Sequence, residues 1–255
     1  MLPTFSIITV CYNAEKTLES TIKTVLAQTY PAIEYIIVDG KSKDSTLSIV
    51  QKYENQITKW ISEPDKGIYD AMNKGLELAT GDYVWFINAG DKIRQPDTLE
   101  KMVHPKQGLP DVYYGEVMLI DEADNDIGTR SDLTTRKLPA KLDWNSMQLG
   151  LVVCHQAFIP RRTIAPSYIL NNLSADIDWI IKCLKKANTI THTQSIIADY
   201  LMGGTSVQQH RQSLKDRYQV LNTHYGKFSN FTNHIKILFR AVWFRIKKIG
   251  KNRYE

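Results

Sequence analysis

The sequence predicts an α/β fold in which a mostly parallel central sheet carries helices on both faces. Strand and helix signals alternate along the first half of the chain. The strand signals are continuous apolar runs, which is the pattern of strands buried on both sides. Two of these runs are followed by aspartates, Asp39 and Asp91. Because ligands bind beyond the carboxyl ends of parallel strands, these aspartates mark a candidate site.

Four short runs of apolar and β-branched residues in the first half predict buried strands. Between them, apolar residues at helical spacing predict three helices. Asp44-Ser45-Thr46 has the composition of an N-terminal cap for the second helix. The strands are expected over residues 5–11, 33–38, 57–62 and 83–87, and the helices over 15–28, 47–53 and 67–79.

The second half of the chain is less regular. Its apolar runs predict further strands, and Gly203-Gly204 indicates a turn. Residues 122–148 are polar with mixed charge, which predicts a loop or a mobile flap. The strands are expected over residues 111–120, 152–159 and 189–200, and the helices over 176–187 and 206–221.

Composition excludes several classes of protein. A chain of 255 residues with 43% hydrophobic content can bury one sizeable core. We expect no transmembrane helix and no signal peptide, because the apolar runs are too short for either. The cysteines, Cys11, Cys154 and Cys183, are far apart and lack zinc or redox spacing, which suits a reducing compartment. We therefore expect a cytoplasmic protein.

The net charge of +5 is concentrated near the C-terminus, where residues 236–255 hold seven Lys or Arg side chains and one Glu. On a helix, the apolar residues of this region form one stripe and the basic residues another. This pattern favours an interfacial helix that binds anionic membrane lipid. A helix packed on the rest of the protein is the alternative, and nucleic acid is not expected because the charge is confined to one terminal helix. The apolar stripe consists of Ile235, Leu238, Phe239, Val242, Ile246 and Ile249.

Two familiar phosphate-binding motifs are absent from the sequence. No G-x-G-x-x-G occurs, and Tyr35 occupies the position of the first glycine of a P-loop that would end at Gly40-Lys41-Ser42. Asp39 is either a turn residue or a carboxylate that accepts hydrogen bonds from a nucleobase or ribose. Asp91, with Asn88 beside it, is either a turn residue or a ligand of a divalent cation.

Four segments, in order, resemble the family 2 glycosyltransferases, and the third resembles their bacterial polysaccharide branch of the colanic-acid type. The likeness is close over about residues 4–105, and the segments Cys154-His155-Gln156 and 174–179 extend it more loosely. It implies a GT-A fold and inverting transfer of a sugar from a nucleotide-sugar, with UDP expected and Mn²⁺ or Mg²⁺ as cofactor. The four segments are TVCYNAE at 9–15, VDGKSKDST at 38–46, EPDKGIYDAMNKG at 63–75 and NAGD at 88–91.

The resemblance also implies roles for single residues. Asp91 would ligate the metal, and Asn88, which replaces the first aspartate of the family's D-x-D motif, would add a neutral oxygen. His155 would contact the metal or the acceptor, with a structural histidine as the alternative. The nucleoside would lie among Thr9, Asn13, Glu15, Asp39 and Ser42, and the diphosphate or the sugar near Lys66 and Asn73.

A general base is needed for the acceptor hydroxyl in such a transfer. The family's E-D motif aligns its aspartate with Asp176, and Asp178 lies two residues further along the same helix. Both stand where an acidic residue would also complement the N-terminus of a helix. We expect Asp176 to be the base and keep Asp178 as the alternative.

These inferences predict a catalytic domain over residues 1–225 and a membrane-associating tail over 226–255. Residues 1–105 would bind the nucleotide-sugar and 106–225 the acceptor, a glycan or a lipid-linked glycan of surface polysaccharide biosynthesis at the inner face of the membrane. A sugar nucleotidyltransferase is a weaker alternative because Tyr12-Asn13-Ala14-Glu15 is not a basic glycine-rich loop. A non-catalytic, membrane-associated nucleotide-sugar-binding module is the third.

Overall fold

The first sheet is parallel throughout, as the sequence predicts. The computed structural model describes residues 2–103, 108–203 and 210–251. In it, β1 pairs with both β2 and β4, with Cys11 opposite Asp39 and Phe5 opposite Tyr83. The strands are β1 (Phe5–Cys11), β2 (Ile33–Asp39), β3 (Lys59–Ser62) and β4 (Tyr83–Phe86), in the order β3-β2-β1-β4.

Helices cover both faces of this sheet. Ile7 and Ile8 of β1 point to opposite faces because successive side chains of a strand alternate. Ile7 packs in one core with Leu18 and Val50, whereas Ile8 packs in a second core with Met72. The helices up to residue 186 are α1 (Leu18–Leu26), α2 (Thr46–Lys52), α3 (Ile68–Leu78), α4 (Thr98–Met102), α5 (Arg130–Leu133) and α6 (Ala175–Lys186).

A second, mixed sheet lies beside β4, and an isolated bridge between Tyr83 and Arg161 joins the two sheets. Its strands are β5 (Lys92–Ile93), β6 (Val112–Ile120), β7 (Asp126–Thr129), β8 (Phe158–Pro160) and β9 (Ile190–Leu201). The order is β5-β9-β6-β7, and β8 also pairs with β6. The β6–β9 pair is parallel and the other pairs are antiparallel.

Two expectations for the second half were wrong in detail. Residues 122–148 are not a plain loop, because side-chain caps organise them: Thr129 caps α5, and Asp143 caps a 3₁₀ turn over Trp144–Leu149. The strand expected over 152–159 begins only at Phe158. Residues His155–Ala157 form a 3₁₀ turn instead, and the side chains of this turn bond to other parts of the chain.

Two helices end the described chain, α7 (His210–Tyr225) and α8 (Lys227–Lys251). They are separated by Gly226, whose φ of 79° lies in the left-handed region that favours glycine. The predicted helix over 206–221 therefore runs on to Tyr225, while its first residues and Gly204 lie outside the described residues. Within the described ranges, no helix combines the length and hydropathy needed to cross a bilayer.

Candidate active site

The loops that follow β1 and β2 are joined by hydrogen bonds at the carboxyl edge of the first sheet. The amide of Asn13 donates to Ser42 Oγ at 2.8 Å, and the amide of Lys43 donates back to Asn13 Oδ1 at 2.9 Å. The amide of Ser45 donates to Glu15 Oε2 at 3.0 Å. Asn13 has a φ of 47°, a conformation that asparagine tolerates well. The structure therefore brings Asn13, Glu15 and Ser42 together, as the sequence predicts.

Asp39 connects these two loops to the end of β3. Its carboxylate is 1% exposed and accepts hydrogen bonds from the amide and the hydroxyl of Ser42 and, at 2.6 Å, from Ser62 Oγ. The loop after β3 comes close at the same point, because a Cβ on Gly40 would collide with Oδ2 of Asp65. Three loops thus form one wall of the candidate site, and we call it the Asp39 wall.

Asp91 lies on the other side of β1. The ends of β2 and β4 are two strand spacings apart, about 10 Å. The carboxylate of Asp91 is 5% exposed and accepts from Gln156 Nε2 at 2.8 Å and from the amide of Leu201 at 3.2 Å. Burial raises the pKa of Asp91 to about 7, although the hydrogen bonds from Gln156 and from the backbone oppose this rise. Asp39 and Asp91 therefore share one edge of the sheet.

On this side, Asn88 and Asp91 carry side-chain oxygens that could ligate a cation. Oδ1 of Asn88 is buried and has no hydrogen-bond partner among the described residues. No cluster of three His, Cys, Asp or Glu side chains that could hold a metal occurs in the described ranges. Mg²⁺ is commonly held by one or two carboxylates together with substrate phosphates and water. These residues fit a cation that ligand phosphates help to hold, rather than a cage made by protein alone.

The two aspartates of α6 have different surroundings. The carboxylate of Asp178 forms an ion pair with Lys182 Nζ at 2.7 Å and a hydrogen bond with His224 Nε2 at 2.8 Å. Burial would raise the pKa of Asp178, but these two partners together lower it. Asp178 therefore joins α6 to α7, and its carboxylate is committed to that contact rather than to a reactant.

Asp176 is half-buried in the first turn of α6. Its Oδ1 accepts from the amide of Ile177 at 2.9 Å. Burial raises the pKa of Asp176, although that hydrogen bond and the charges of Arg130 and Arg136 oppose the rise. A carboxyl with a raised pKa is suited to accept and release a proton.

Tyr200 shows that the two halves of the site are close to each other. Burial raises the pKa of the Tyr200 hydroxyl, and the negative charges of Asp91 and Asp176 raise it further. Both Asp91 and Asp176 therefore lie close enough to Tyr200, near the C-terminal end of β9, for their charges to act on it.

Three predicted site residues are hydrogen-bonded within the fold. The hydroxyl of Thr9 is fully buried and donates to the carbonyl of Ile87 at 2.7 Å. His155 is 5% exposed, bonds through Nε2 to Tyr168 Oη at 2.6 Å, and has a pKa lowered by burial to about 4. The side-chain nitrogen of Asn73 donates to the carbonyl of Tyr168 at 3.0 Å, and Asn73 Oδ1 accepts from the amide of Tyr168 at 2.7 Å. Each of these polar groups is satisfied by the fold.

Lys66 remains available, since its side chain is exposed just before α3. Residues that the sequence did not single out also belong to the site. Gln156 positions Asp91, and its only sequence signal was its place in the loosely resembling Cys154-His155-Gln156 segment. Arg130 and Arg136 lie in the polar segment expected to be a loop, and no sequence signal distinguished them from solvated charges.

Replacing Asp178 with asparagine should destabilise the protein, whereas replacing Asp176 should not. Asp178→Asn removes a charged partner of Lys182 and His224, so we expect the free energy of unfolding at pH 7 to fall by about 2 kcal/mol. Ionisation of Asp176 opposes folding because its pKa is raised, so Asp176→Asn should unfold at the same or a higher urea concentration. Urea titration of both variants at pH 7 measures the contrast.

The same contrast should depend on pH. Any increase in the free energy of unfolding caused by Asp176→Asn is present above pH 3.8, the ordinary pKa of aspartate, and is lost below it. The decrease in the free energy of unfolding caused by Asp178→Asn persists to lower pH. It disappears only as the pH falls through the lowered pKa of Asp178. Equal destabilisation by the two variants at pH 7 would contradict the distinction between them.

The model of the family described as "Glycosyl transferase family 2" matches residues 6–166. A PGL/p-HBAD biosynthesis glycosyltransferase of Mycobacterium bovis is 30% identical over 206 residues, 78% of this chain and 77% of that protein. An uncharacterized glycosyltransferase of Mycobacterium tuberculosis is 40% identical over 107 residues, 42% of this chain and 41% of that protein. A putative teichuronic acid biosynthesis glycosyltransferase of Bacillus subtilis, TuaG, is 42% identical over 104 residues, 40% of this chain and 41% of that protein.

Solved structures show the same fold at low sequence identity. Residues 1–349 of Staphylococcus aureus TarS in complex with UDP-GlcNAc match with a TM-score of 0.67 at 20% identity, covering 85% of this chain and 64% of that one. The mannosyltransferase PcManGT of Pyrobaculum calidifontis in complex with GDP-Man and Mn²⁺ matches with a TM-score of 0.62 at 17% identity. The match covers 95% of this chain and 70% of that one. The chain has the predicted GT-A fold and belongs to glycosyl transferase family 2.

Proposed function

We propose that this protein is an inverting glycosyltransferase that moves a sugar from a UDP-sugar to a hydroxyl of a glycan or lipid-linked acceptor in surface polysaccharide biosynthesis. The observation that carries the proposal is the shared sheet edge of the Asp39 wall and Asp91, together with Asp176, whose charge acts on Tyr200 as that of Asp91 does. The family supports sugar transfer. The similarity to glycosyltransferases of teichuronic acid and PGL/p-HBAD biosynthesis supports a role in polysaccharide biosynthesis.

The donor would lie across the carboxyl ends of β2, β1 and β4. Its nucleoside would contact the Asp39 wall, where Asn13, Glu15 and Ser42 are held by their mutual hydrogen bonds. Its diphosphate would lie towards Asp91 and Asn88, within reach of the exposed Lys66. Mn²⁺ or Mg²⁺, held by Asp91 and Asn88 with the phosphates, would neutralise charge on the departing diphosphate.

Asp176 is the group best placed to take the proton of the acceptor hydroxyl. In a single in-line displacement, the acceptor oxygen forms a bond to the anomeric carbon while the bond from that carbon to the phosphate oxygen breaks, which inverts the configuration. The proton passes to Asp176, whose pKa is raised by burial. Asp178 is engaged by Lys182 and His224 and takes no part in this step.

The alternatives have less support. A sugar nucleotidyltransferase would need basic groups in the loop after β1, but the groups that organise that loop are Asn13 and Glu15. A non-catalytic binding module would need no proton acceptor, so it does not account for the half-buried carboxyl group of Asp176.

We also propose that α8 lies on the inner surface of the cell membrane. Its polar residues Asn230 and Asn233 are 1% and 3% exposed, so they face the protein. Its apolar side chains face outwards: Phe228 is 83% exposed and Phe231 is 59% exposed, and the stripe continues through Ile235, Leu238 and Phe239. An apolar stripe turned away from its own domain is suited to the headgroup region of a bilayer, and nearby lysines would attract anionic lipid.

Asp176→Asn should abolish sugar transfer and leave donor binding intact. The asparagine keeps the shape of the side chain but has no basic carboxylate, so we expect kcat to fall by at least about 100-fold. Product formation from a panel of UDP-sugars, and the thermal shift produced by the bound UDP-sugar, measure the two properties separately. Asp178→Asn is the matched control and should keep transfer in whatever fraction of the protein is folded. Unchanged turnover in Asp176→Asn would remove Asp176 from the mechanism.

Gln156→Met should weaken the response to metal without unfolding the protein. Methionine has a similar size but donates no hydrogen bond to Asp91, so the carboxylate loses a group that orients it. Residues that orient a metal ligand typically change metal affinity or activity by about 10- to 100-fold. The measurement is the Mn²⁺ concentration that gives half-maximal transfer, with Gln51→Met, an exposed position on α2, as control. An identical Mn²⁺ dependence in both variants would argue against metal binding at Asp91.

Replacing Phe228, Phe231 and Phe239 with serine should reduce membrane binding. These side chains are exposed, so the change removes apolar area from the proposed bilayer contact without opening the core. Flotation with vesicles of phosphatidylglycerol and phosphatidylcholine should show the wild-type protein bound and the variant mostly free. A control with serine at Leu109, Ile127 and Leu133, which are also exposed, should float like the wild type. Equal flotation of the two variants would contradict a specific role for α8.

A further inference from the structure

Three arginines lie near one another on the Asp176 side of the candidate site: the charges of Arg130 and Arg136 act on Asp176, and that of Arg217 acts on Arg136. Arg130 begins α5, Arg136 follows it in the next loop, and Arg217 lies in the middle of α7. All three are half-buried; Arg130 and Arg136 are close together in the sequence, and Arg217 comes from a distant part of the chain. Together with Asp176 we call them the arginine cluster.

The segment from Gly150 to Val152 places two of these arginines side by side. The guanidinium of Arg130 donates to the carbonyl of Leu151 at 2.6 Å and to that of Val152 at 3.2 Å. The guanidinium carbon of Arg136 lies 3.8 Å from the position that a Cβ on Gly150 would take. This segment leads directly to Cys154 and Gln156, so the two arginines border the side of the site that holds Asp91.

Contacts between α7 and the start of α6 position the third arginine. The hydroxyl of Ser174 donates to the carbonyl of Ser213 at 3.1 Å, and the amide of Leu173 donates to Asp216 Oδ2 at 2.8 Å. Arg217 is the next residue of α7, and its Nε is buried without a hydrogen-bond partner in the described part of the chain. It therefore offers an unused donor close to the beginning of α6, where Asp176 lies.

The positive charge of the cluster is not balanced by the protein. Among the described residues, none of the three arginines forms an ion pair with an Asp or Glu within 4.0 Å. The pKa of Arg136 is lowered to about 10, first by burial and then by the charges of Arg217 and Arg130, while Asp176 opposes this lowering. Burying unpaired cations is unfavourable unless an anion completes the arrangement.

We propose that Arg130, Arg136 and Arg217 bind a phosphate group carried by the acceptor, next to the hydroxyl that receives the sugar. The assignment rests on the proposed transfer function, which places that hydroxyl at Asp176. Guanidinium groups suit phosphate because their planar donors match its oxygens in pairs. Three of them can engage a phosphate from several sides, and the free Nε of Arg217 gains a partner.

The position of α8 favours an acceptor phosphate attached to a lipid. Arg240 of α8 donates to the carbonyl of Thr135 at 2.5 Å, directly beside Arg136. Asn233 of α8 contacts Gln148 near the other end of the same stretch of chain. The loop that carries Arg136 therefore packs against the helix whose apolar stripe faces outwards. A phosphate between a lipid and a sugar would reach the cluster from that surface.

The test is calorimetric titration of the full-length protein with inorganic phosphate, first alone and then saturated with UDP and Mg²⁺. We expect phosphate to bind in both states, and Arg136→Gln and Arg217→Gln to raise its Kd by at least about tenfold. Arg211→Gln, at an exposed arginine of α7, is the matched control and should leave the Kd unchanged. Arg217→Lys keeps the charge but loses the planar donors, so it should give an intermediate Kd if the glutamine variants fold poorly.

Three outcomes overturn the assignment. One is the absence of phosphate binding, and another is an equal Kd in Arg211→Gln, Arg136→Gln and Arg217→Gln. The third is complete displacement of phosphate by UDP, which would mean that the arginine cluster binds the diphosphate of the donor. UDP binding is measured in the same experiment, so a protein that binds phosphate but not UDP would contradict the proposed transfer function and leave the phosphate site standing.

Discussion

The parallel pairing of β1 with β2 on one side and β4 on the other is the constraint from which the site follows. Parallel strands deliver their carboxyl ends, and the loops after them, to one edge of the sheet. The register places Cys11 beside Asp39, so the loops after β1 and β2 meet and exchange hydrogen bonds. A shift of one residue would turn every side chain of a strand to the opposite face. Burial of both faces opposes such a shift.

The hydrogen bonds of Asp91 connect the two sheets. Its carboxylate accepts from Gln156, just before β8, and from Leu201 at the end of β9. Both strands belong to the second sheet, whereas Asp91 follows the last strand of the first. Gln156 and Leu201, from the second half of the protein, therefore help to hold a carboxylate whose pKa is raised by burial. A carboxylate in these surroundings gains from a nearby cation, which fits the proposed binding of metal and diphosphate.

Asp176 and Asp178 show how position on a helix separates two chemically identical groups. Two residues along a helix correspond to a rotation of about 200°, so their side chains point in nearly opposite directions. Asp178 meets α7 and becomes a structural partner of His224, while Asp176 meets the arginines and the half-buried site. The arginine cluster and the outward stripe of α8 then suggest a path for a phosphorylated, lipid-borne acceptor.

The sequence by itself determined the alternation of strands and helices, the parallel first sheet and the edge at which Asp39 and Asp91 lie. These features follow from local periodicity and chain order, because a buried strand and an amphipathic helix each leave a pattern within a few residues. Only the tertiary structure turned Thr9, Asn73 and His155 towards structural partners and brought Gln156 to Asp91. It also brought Arg217 near Arg136, which lies far from it in the sequence. Such contacts depend on which faces meet across long sequence separations, and local patterning carries no record of them.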